Sequence, residues 1–570
     1  MEPTVANQPT SSESNDKTAV YIQQLEKEID QLKDEVSHLS EVVRQYQKML
    51  FGTSSEKTKY VGSEENAEQL SFFNEAEEEA RPEIKEPCTV VAAHARKAKR
   101  THKELAKSLP VTEVLHTLHD DNCSCPKCGG ALKSIGKTQV RDEIIREPAR
   151  YYIKRHMQES YVCNDCGKDE SKDNNLTDVA SMTIVRAPAP KPVLPNSMVS
   201  ASLLSYVLYA KYALALPLYR IEQDFQNNGL EISRATLANW VIYSAEKYLE
   251  ALWNAMKAVV LSEPVVHSDE TPVQVLKEKD RSAKQKSYMW VFCSGEFSEK
   301  PAVLYMYSTS RSGSNAETFL EGYDKYLVSD GYAGYNGVGA KRCGCFAHVR
   351  RKFKDAMPPD TALYEPEKLP PWRTASEDSQ KEQYSSTAEL VAEMKRQPVK
   401  SAVGFYLCNE LFELEKLSGK DTDLRIKIRE ECVKPLLDVF WEWLESVNAA
   451  NGSSLSKAVN YALNEKKTLV RFLENPLIPI SNNRAENSIR PFTVGRKNWL
   501  FSVTPKGAKS SAIVYSIIES AKANGLNPYQ YLMWLFETMS QADIFESELI
   551  ASVLPWSTSI PEYCKLEQSF

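Results

Sequence analysis

The sequence predicts a multidomain α/β protein, and three observations support this. Its length of 570 residues corresponds to about three to five domains at the usual size of a domain. Short apolar runs typical of strands alternate with longer helical patterns between residues 258 and 525, as expected of a mixed fold. Hydrophobic residues make up 42% of the chain and charged residues 26%, so packed cores are expected and global disorder is excluded.

The composition also limits the class of function. A net charge of −7 excludes binding of nucleic acid through overall charge, so any DNA contact must come from local basic patches. Five of the twelve cysteines lie between Cys123 and Cys166, which fits a reducing compartment and one metal site better than a disulfide framework.

The polar amino terminus lacks the apolar core of a signal peptide. The most apolar stretch, Ala201–Leu218, contains Lys211 and predicts a buried helix. We expect a cytoplasmic protein that does not contact a membrane.

Residues 1–18 predict a disordered tail, and residues 19–50 predict a coiled coil. In this second segment apolar residues recur in steps of three and four, with polar residues on the other faces. These positions are Ile22, Leu25, Ile29, Leu32, Val36, Leu39, Val43, Tyr46 and Leu50. Alternation of β-branched residues with leucine favours a parallel homodimer, or a larger assembly of the same chain. The alternative is a single amphipathic helix that packs on its own protein.

Residues 51–110 predict a charged linker in which the sign of the charge changes. Acidic residues dominate residues 64–79, and basic residues dominate residues 96–103. The basic run could contact phosphates. The alternative is a charged segment that is simply solvated.

Residues 111–182 predict a zinc-binding module that resembles a zinc ribbon. Two Cys-x-x-Cys pairs supply four thiolates, the number that a closed tetrahedral site for one structural Zn²⁺ requires. The four cysteines are Cys125, Cys128, Cys163 and Cys166. A redox motif would need only one pair. Between the pairs, Tyr151, Tyr152 and Ile153 suggest ribbon strands.

Residues 183–256 predict a helical region that contains a helix-turn-helix. The helix Leu218–Phe225 is followed by a turn at Gly229 and by a second helix that Ser233 would cap. Arg234, Thr236 and Asn239 would lie near the start of this second helix, where such motifs contact DNA. The alternative is a plain helical hairpin without a role in DNA recognition.

Residues 257–357 predict the first part of a ribonuclease-H-like core. The order of elements is three strands, a helix and a fourth strand, and in that fold the first and fourth strands are neighbours. The elements are Glu263–Leu276, Tyr288–Cys293, Ala302–Tyr307, Ala316–Gly322 and Tyr326–Ser329. Asp269 lies in the first strand and Asp330 follows the fourth, so we expect the two carboxylates to meet.

Residues 358–475 predict a mainly helical insertion in this core. Ala402–Leu417 and Val433–Val447 have helical apolar patterns, whereas Pro358–Gln397 is polar and predicts a mobile surface connection. Residues 476–525 then complete the core, and residues 526–570 predict a helical segment at the carboxyl terminus.

Two acids alone would be ambiguous, because hydrolases use such pairs as general acid and base. The third acid is Glu486. It lies among arginines and lysines and therefore suits metal binding beside a phosphodiester. Three carboxylates can hold two Mg²⁺ or Mn²⁺ ions, which prefer oxygen ligands. Glu270 competes with Asp269 for this assignment. We prefer Asp269, because alternation along the strand directs the two side chains to opposite faces.

Basic residues near these acids are candidates for phosphate contact. They are His348, Arg350, Arg351, Arg484, Arg496 and Lys497. The alternative is that these side chains are only solvated. Cys343 and Cys345 precede His348 on a predicted fifth strand, and we expect both to be buried core residues because a single histidine cannot complete a metal site with them.

Several blocks of sequence resemble the bacterial insertion-sequence 66 transposases. The blocks in the core are Asp269–Thr271, Ser329–Tyr335, Gly344–Phe353, Asn483–Asn487 and Gly495–Phe501. Leu50–Gly52, the paired Cys-x-x-Cys motifs and Ala521–Leu526 match as well, so the resemblance covers roughly residues 20–560.

The resemblance implies that Asp269, Asp330 and Glu486 form the triad of a DDE transposase. It further implies nicking at the transposon ends and attack of the freed 3′ hydroxyl on target DNA. The partners would then be double-stranded DNA and small accessory proteins encoded with the element, in the nucleoid of a bacterial cytoplasm. Two other readings of the same modules are a catalytically silent, DNA-binding regulator and a stand-alone metal nuclease.

Overall fold

The computed structural model describes residues 190–359, 361–373 and 382–566, together with Glu28 and the short segments 151–157, 160–162 and 184–186. Glu28 is helical and exposed. The rest of the predicted tail and coiled coil lies outside the described residues, and so do the predicted linker and the four cysteines proposed to bind zinc.

The strand prediction for Tyr151, Tyr152 and Ile153 is wrong. Residues 151–157 form no helix or strand, and most of their side chains are exposed. The preference of such residues for strands depends on packing against a neighbouring strand. A short antiparallel pair is instead formed by β1 (Ser160–Val162) and β2 (Ile184–Arg186), so the region predicted as helical from residue 183 begins with a strand.

Four helices precede the main sheet: α1 (Ala201–Tyr212), α2 (Leu218–Asn227), α3 (Arg234–Ser244) and α4 (Glu250–Ser262). A π-helical turn joins α3 to α4. The predicted cap is present, because the Ser233 side chain accepts the backbone N–H of Thr236 at 3.2 Å. Gly229, in the turn before it, has a φ of +78°, which glycine adopts at little cost. The predicted succession of helix, glycine turn and serine-capped helix is therefore confirmed.

Helix α1 lies within the apolar stretch Ala201–Leu218, which predicted a buried helix, and seven of the twelve residues of α1 are buried. Of the helices that the structure describes, none has the length and apolar character needed to cross a membrane.

A five-stranded mixed sheet follows. Its elements are β3 (Val265–Gln274), β4 (Lys286–Ser294), β5 (Val303–Ser308), α5 (Ser314–Phe319), β6 (Tyr326–Val328) and β7 (Lys341–Cys343). The strand order is β5-β4-β3-β6-β7. Strands β3, β4 and β5 are antiparallel, whereas β6 and β7 run parallel to β3. The predicted contact between the first and fourth strands is thus confirmed. His267 pairs with Val328, so Asp269 and Asp330 each lie two residues beyond one paired position.

The insertion is mainly helical, as predicted. Its helices, with the one that leads into it, are α6 (Phe346–Ala356), α7 (Thr387–Arg396), α8 (Lys400–Leu417), α9 (Thr422–Ile428), α10 (Lys434–Glu445), α11 (Ser454–Asn464) and α12 (Lys466–Leu469). They share a core in which Phe353 and Trp443 are fully buried.

The prediction that Pro358–Gln397 is only a mobile surface connection is wrong. Tyr364, Trp372 and Tyr384 are buried in the core of the insertion. The hydroxyls of Tyr364 and Tyr384 donate to the buried carboxylate of Glu393. A few aromatic residues thus pack an otherwise polar segment against the helices, because each buries a large apolar area.

Buried Arg429 fixes the return of the chain from the insertion to the sheet. Its guanidinium donates to the carbonyls of Phe472 at 2.6 Å, Asn475 at 3.1 Å and Ile478 at 2.8 Å. It also forms an ion pair with Glu415 of α8 at 2.7 Å. One side chain therefore ties α8 to the segment that leads into the next helix.

Four helices complete the chain: α13 (Asn483–Trp499), α14 (Pro505–Ala523), α15 (Pro528–Ser540) and α16 (Ser547–Val553). The prediction of a helical carboxyl-terminal segment is confirmed for its described residues. Helix α14 lies along β5, one of the two outer strands of the described five-stranded sheet. The backbone N–H groups of Val303 and Tyr305 donate to the hydroxyls of Ser520 at 2.9 Å and Ser516 at 2.7 Å, so serines bond the outer edge of β5.

Candidate active site

Three acidic side chains from three separate elements lie close enough for their charges to interact. Asp269 lies on β3, Asp330 follows β6, and Glu486 lies in the first turn of α13; all three are partly buried. Burial, together with the negative charges of Glu270, Asp330 and Glu486, raises the pKa of the Asp269 carboxyl well above its usual range. Like charges held near a carboxyl group raise its pKa because they disfavour its charged form.

Glu270, the neighbour of Asp269, is bonded within the protein. The guanidinium of Arg311 donates to its Oε1 at 2.6 Å, and the hydroxyl of Tyr335 donates to its Oε2 at 2.5 Å. Both carboxylate oxygens therefore have partners. The Oδ1 of Asp269 accepts the backbone N–H of Glu270 at 2.9 Å. This arrangement favours Asp269 as the group that faces the other acids.

The two oxygens of Glu486 have different surroundings. Its Oε2 accepts from Arg351 at 3.2 Å, whereas its Oε1 lies 3.7 Å from His348 Nδ1. Within the part of the chain that the structure describes, this Oε1 and the His348 Nδ1 are buried without a hydrogen-bond partner. Burial also lowers the pKa of His348, although the charges of Glu486 and Asp330 act in the opposite direction. A buried oxygen without a partner is costly, and a bound cation would relieve that cost.

Asn482, the residue before α13, forms hydrogen bonds with β3 and with Cys345, the residue before α6. Its side-chain amide donates to the Ser268 carbonyl at 2.8 Å, and its Oδ1 lies 3.1 Å from His267 Nδ1. Its backbone N–H donates to Cys345 Sγ at 3.1 Å. Burial lowers the pKa of His267 to about 4, so the imidazole is neutral and we assign its proton to Nδ1 from this hydrogen bond. The residue before α13 thus fixes the position of Glu486 relative to β3.

Asn482 is not among the site residues predicted from the sequence, although it immediately precedes the block Asn483–Asn487 that contains Glu486. Replacing Asn482 with Ala should leave His267 and the Ser268 carbonyl unpaired and should cost about 2–3 kcal/mol of stability. It should also lower any activity that depends on Glu486. Urea unfolding and a DNA cleavage assay measure the two effects. Asn483→Ala alters the exposed next residue and is the matched control. Equal effects of the two variants would contradict this role.

Several of the six basic candidates bond to groups of the fold other than the three acids. Arg350 donates to Asn409 and lies over the ring of Phe405 at 4.8 Å, so it faces the insertion. Arg484 donates to the carbonyl of Ser294 on β4. The contacts of Arg496 are with β3, where it donates to the Thr271 hydroxyl at 3.0 Å and to the Pro272 carbonyl. An arginine side chain can donate hydrogen bonds to backbone carbonyls of a sheet as well as to phosphates.

The other basic candidates lie nearer to solvent. Arg351 is exposed beside Glu486, and His348 is partly buried. Lys497 is also partly buried, and this burial together with the charge of Arg496 lowers its pKa.

In the helix-turn-helix, Arg234 and Asn239 are exposed. The Nε of Arg234 lies 3.8 Å from Glu222 of α2. The hydroxyl of Thr236 is 2.9 Å from that of Ser233, so it contributes to the helix cap. Arg234 therefore presents a polar group at the start of α3 and Asn239 presents one near its middle, whereas Thr236 is partly engaged by the fold.

Both cysteines near His348 are buried, as predicted. The prediction that Cys345 belongs to a strand is wrong, because β7 ends at Cys343 and Cys345 is the residue that precedes α6. The chain turns there from the sheet into the helix, so the Sγ of Cys345 and the side chain of His348 lie near Glu486.

Comparison with protein families gives four matches. A model described as "Transposase IS66 family" matches residues 196–510. "Transposase C of IS166 homeodomain" matches residues 38–114, and "IS66 C-terminal element" matches residues 516–556. "Zinc-finger binding domain of transposase IS66" matches residues 122–167, a range that contains all four predicted zinc ligands.

Relatives of similar length are also found. The uncharacterized protein y4jD of Sinorhizobium fredii is 26% identical over 552 residues, which cover 94% of this chain and 97% of that protein. The uncharacterized protein y4hP of the same organism is 25% identical over 447 residues, or 76% of this chain and 73% of the relative. No solved structure matches. The match to the model described as "Transposase IS66 family" covers more than half of this chain. The chain therefore belongs to the IS66 family of transposases.

Proposed function

We propose that the chain is a DDE transposase that cuts DNA at the ends of its element and joins the freed 3′ hydroxyl to target DNA. The observation that carries the proposal is the proximity of three acids from three elements: the charges of Asp330 and Glu486 act on Asp269. Membership of a transposase family supports DNA as the substrate. The site assignments rest on the geometry of these acids and on the resemblance of their sequence blocks.

The sheet supports a ribonuclease-H-like description of the core. Three antiparallel strands are followed by two strands parallel to the first. One acid lies on the first strand, the second follows the fourth, and the third lies in a helix that packs on the sheet. This combination suits a site for two divalent ions.

The residues present fit Mg²⁺ or Mn²⁺. Three carboxylates offer the oxygen ligands that these ions prefer, and Glu486 Oε1 is a buried oxygen without a hydrogen-bond partner among the described residues. Asp269, Asp330 and Glu486 would hold the ions. Bound there, two ions would activate the attacking oxygen and stabilise the leaving oxygen of the phosphodiester.

The chain's own groups would position the DNA. Arg351 is exposed beside Glu486 and could bind a phosphate oxygen of the strand that is cut. Lys497 and His348 are further candidates for backbone contact. Arg234 at the start of α3 and Asn239 near its middle could contact bases in the major groove, and Thr236 could contact the backbone beside them. Bonds within the fold engage Arg350, Arg484 and Arg496. These bonds favour a role for the three side chains in shaping the site over a role in binding phosphate.

The segments outside the described residues would supply the remaining functions. We propose that Cys125, Cys128, Cys163 and Cys166 hold one structural Zn²⁺, and that the coiled coil pairs two copies so that both element ends are held together. Small accessory proteins encoded with the element are proposed partners, and the nucleoid of the cytoplasm is the proposed location.

A reaction with purified full-length protein tests this function. The substrate is a labelled duplex that carries one end of the element, with plasmid DNA as target. With Mg²⁺ we expect a nick that leaves a 3′ hydroxyl, followed by joined products, and we expect both to vanish with EDTA. Binding without cleavage would favour a silent regulator. Cleavage without joined products would favour a metal nuclease.

Replacing Leu25 and Leu32 with Lys should convert the protein to monomers, since buried charge at two core positions breaks a coiled coil. Light scattering measures the mass of the assembly. Gln24→Lys with Gln31→Lys places the same charges on an outer face and should leave the mass unchanged. A double Leu variant with the mass of wild type would refute pairing through this segment.

A further inference from the structure

A second set of potential metal ligands overlaps the acidic site. Cys345, His348 and Glu486 each offer one ligand atom, and these atoms all lie within 4.8 Å of one another. Cys345 and His348 are three residues apart at the start of α6, a spacing that puts them on one face of a helix. Glu486 approaches from α13. The three ligand types are sulfur, nitrogen and oxygen, which is a different chemistry from the all-oxygen triad.

Two of these atoms lack a hydrogen-bond partner within the described ranges. They are Glu486 Oε1 and His348 Nδ1, which are buried and lie 3.7 Å apart. Usual zinc bond lengths place neighbouring ligands of a tetrahedral site about 3.4–3.6 Å apart. A shift of a few tenths of an ångström would therefore bring the imidazole and the carboxylate into ligand positions.

The Cys345 sulfur is positioned by a hydrogen bond within the fold. Its Sγ accepts the backbone N–H of Asn482 at 3.1 Å. Binding of a metal there would form a metal–sulfur bond and release the thiol proton to water.

The ligand types select the metal. Thiolate and imidazole prefer Zn²⁺ or Cd²⁺, whereas Mg²⁺ prefers carboxylate and water. Three protein ligands leave a fourth position for water, as in other open zinc sites. Glu486 is the ligand that this set shares with the acidic triad.

We propose that Cys345, His348 and Glu486 form a binding site for a soft divalent cation such as Zn²⁺, and that its occupation withdraws Glu486 from the acidic triad. The site itself stands on the geometry of these three side chains. Its inhibitory effect rests on the proposed function, because only then does the reaction need Glu486 for Mg²⁺. The expected consequence is inhibition of DNA cleavage by Zn²⁺ at high Mg²⁺.

Metal binding is measured first, without reference to activity. Full-length protein, with its cysteine module filled by Zn²⁺, is titrated with Co²⁺ and followed by thiolate-to-cobalt absorption. Wild type should take up one additional equivalent in a tetrahedral site. Cys345→Ser and His348→Ala should each lose that signal, and Asp269→Asn should keep it. Absence of the additional equivalent in wild type, or its persistence in Cys345→Ser, would overturn the site.

Inhibition is measured second. Cleavage at fixed Mg²⁺ is titrated with Zn²⁺, and each variant is compared with its own rate without Zn²⁺. Half-inhibition of Cys345→Ser should need at least tenfold more Zn²⁺ than that of wild type. Equal sensitivity would overturn the inhibitory role. A cobalt signal that depends on Cys345 in a protein without cleavage activity would refute the proposed function and leave the metal site intact.

Discussion

Glu486→Gln is expected to abolish DNA cleavage while it leaves DNA binding unchanged. The substitution keeps the shape of the side chain and removes its charge, so Oε1 could no longer neutralise a divalent ion. Loss of one electrostatic stabiliser of a transition state costs about 10²–10³ in rate, and we expect at least that loss here. Cleavage of a labelled element end and a gel-shift titration measure the two properties on the same preparation.

A control variant separates this effect from a general loss of charge. Glu445→Gln removes an exposed carboxylate that pairs with Lys466 at 2.8 Å, and it should cleave as wild type does. The same pair of variants can be compared in cells with a marker flanked by the element ends. If Glu486→Gln weakened binding as much as cleavage, or cleaved normally, the assignment of the third carboxylate would be wrong.

Arg429→Ala is expected to destabilise the helical insertion by about 3–5 kcal/mol, the usual cost of removing one partner of a buried ion pair. Glu415 would keep a buried charge beside Arg425, 3.8 Å away. The carbonyls of Phe472, Asn475 and Ile478 would lose their donor. Because this segment leads into α13, the position of Glu486 should loosen as well. Urea unfolding, followed by the fluorescence of the buried tryptophans, measures the change.

Two further variants test the explanation. Arg429→Lys keeps the charge and loses the forked donors, so its midpoint should fall between those of wild type and Arg429→Ala. Lys427→Ala removes an exposed charge that is 4.0 Å from Glu431 and should change stability by less than about 0.5 kcal/mol. An unchanged midpoint for Arg429→Ala would refute the role of this side chain.

Features with a local signal could be predicted from the sequence. Short apolar runs predicted β3, β4 and β5 within two residues of their observed ends, and Ser233 correctly marked the start of α3. The adjacency of β3 and β6 followed from the order of the elements, because parallel strands need a crossover between them. These signals depend on neighbours in the chain or on connection rules.

Contacts between distant parts of the chain could not be predicted in this way. Asn482 bonds to His267 and Ser268, more than 200 positions earlier. No local sequence pattern predicts hydrogen bonds between residues so far apart in the chain. The same limit applies to the basic residues near the acids. A pattern of charge does not distinguish an arginine that binds phosphate from Arg496, which satisfies the carbonyl of Pro272.

The serines that bond the outer edge of β5 have a consequence for aggregation. An outer strand with unpaired N–H groups invites a strand from another molecule, and such addition leads to fibres. Here the hydroxyls of Ser516 and Ser520 occupy the N–H groups that an incoming strand would need. Strand addition at β5 would require α14 to detach, with the loss of its buried apolar face.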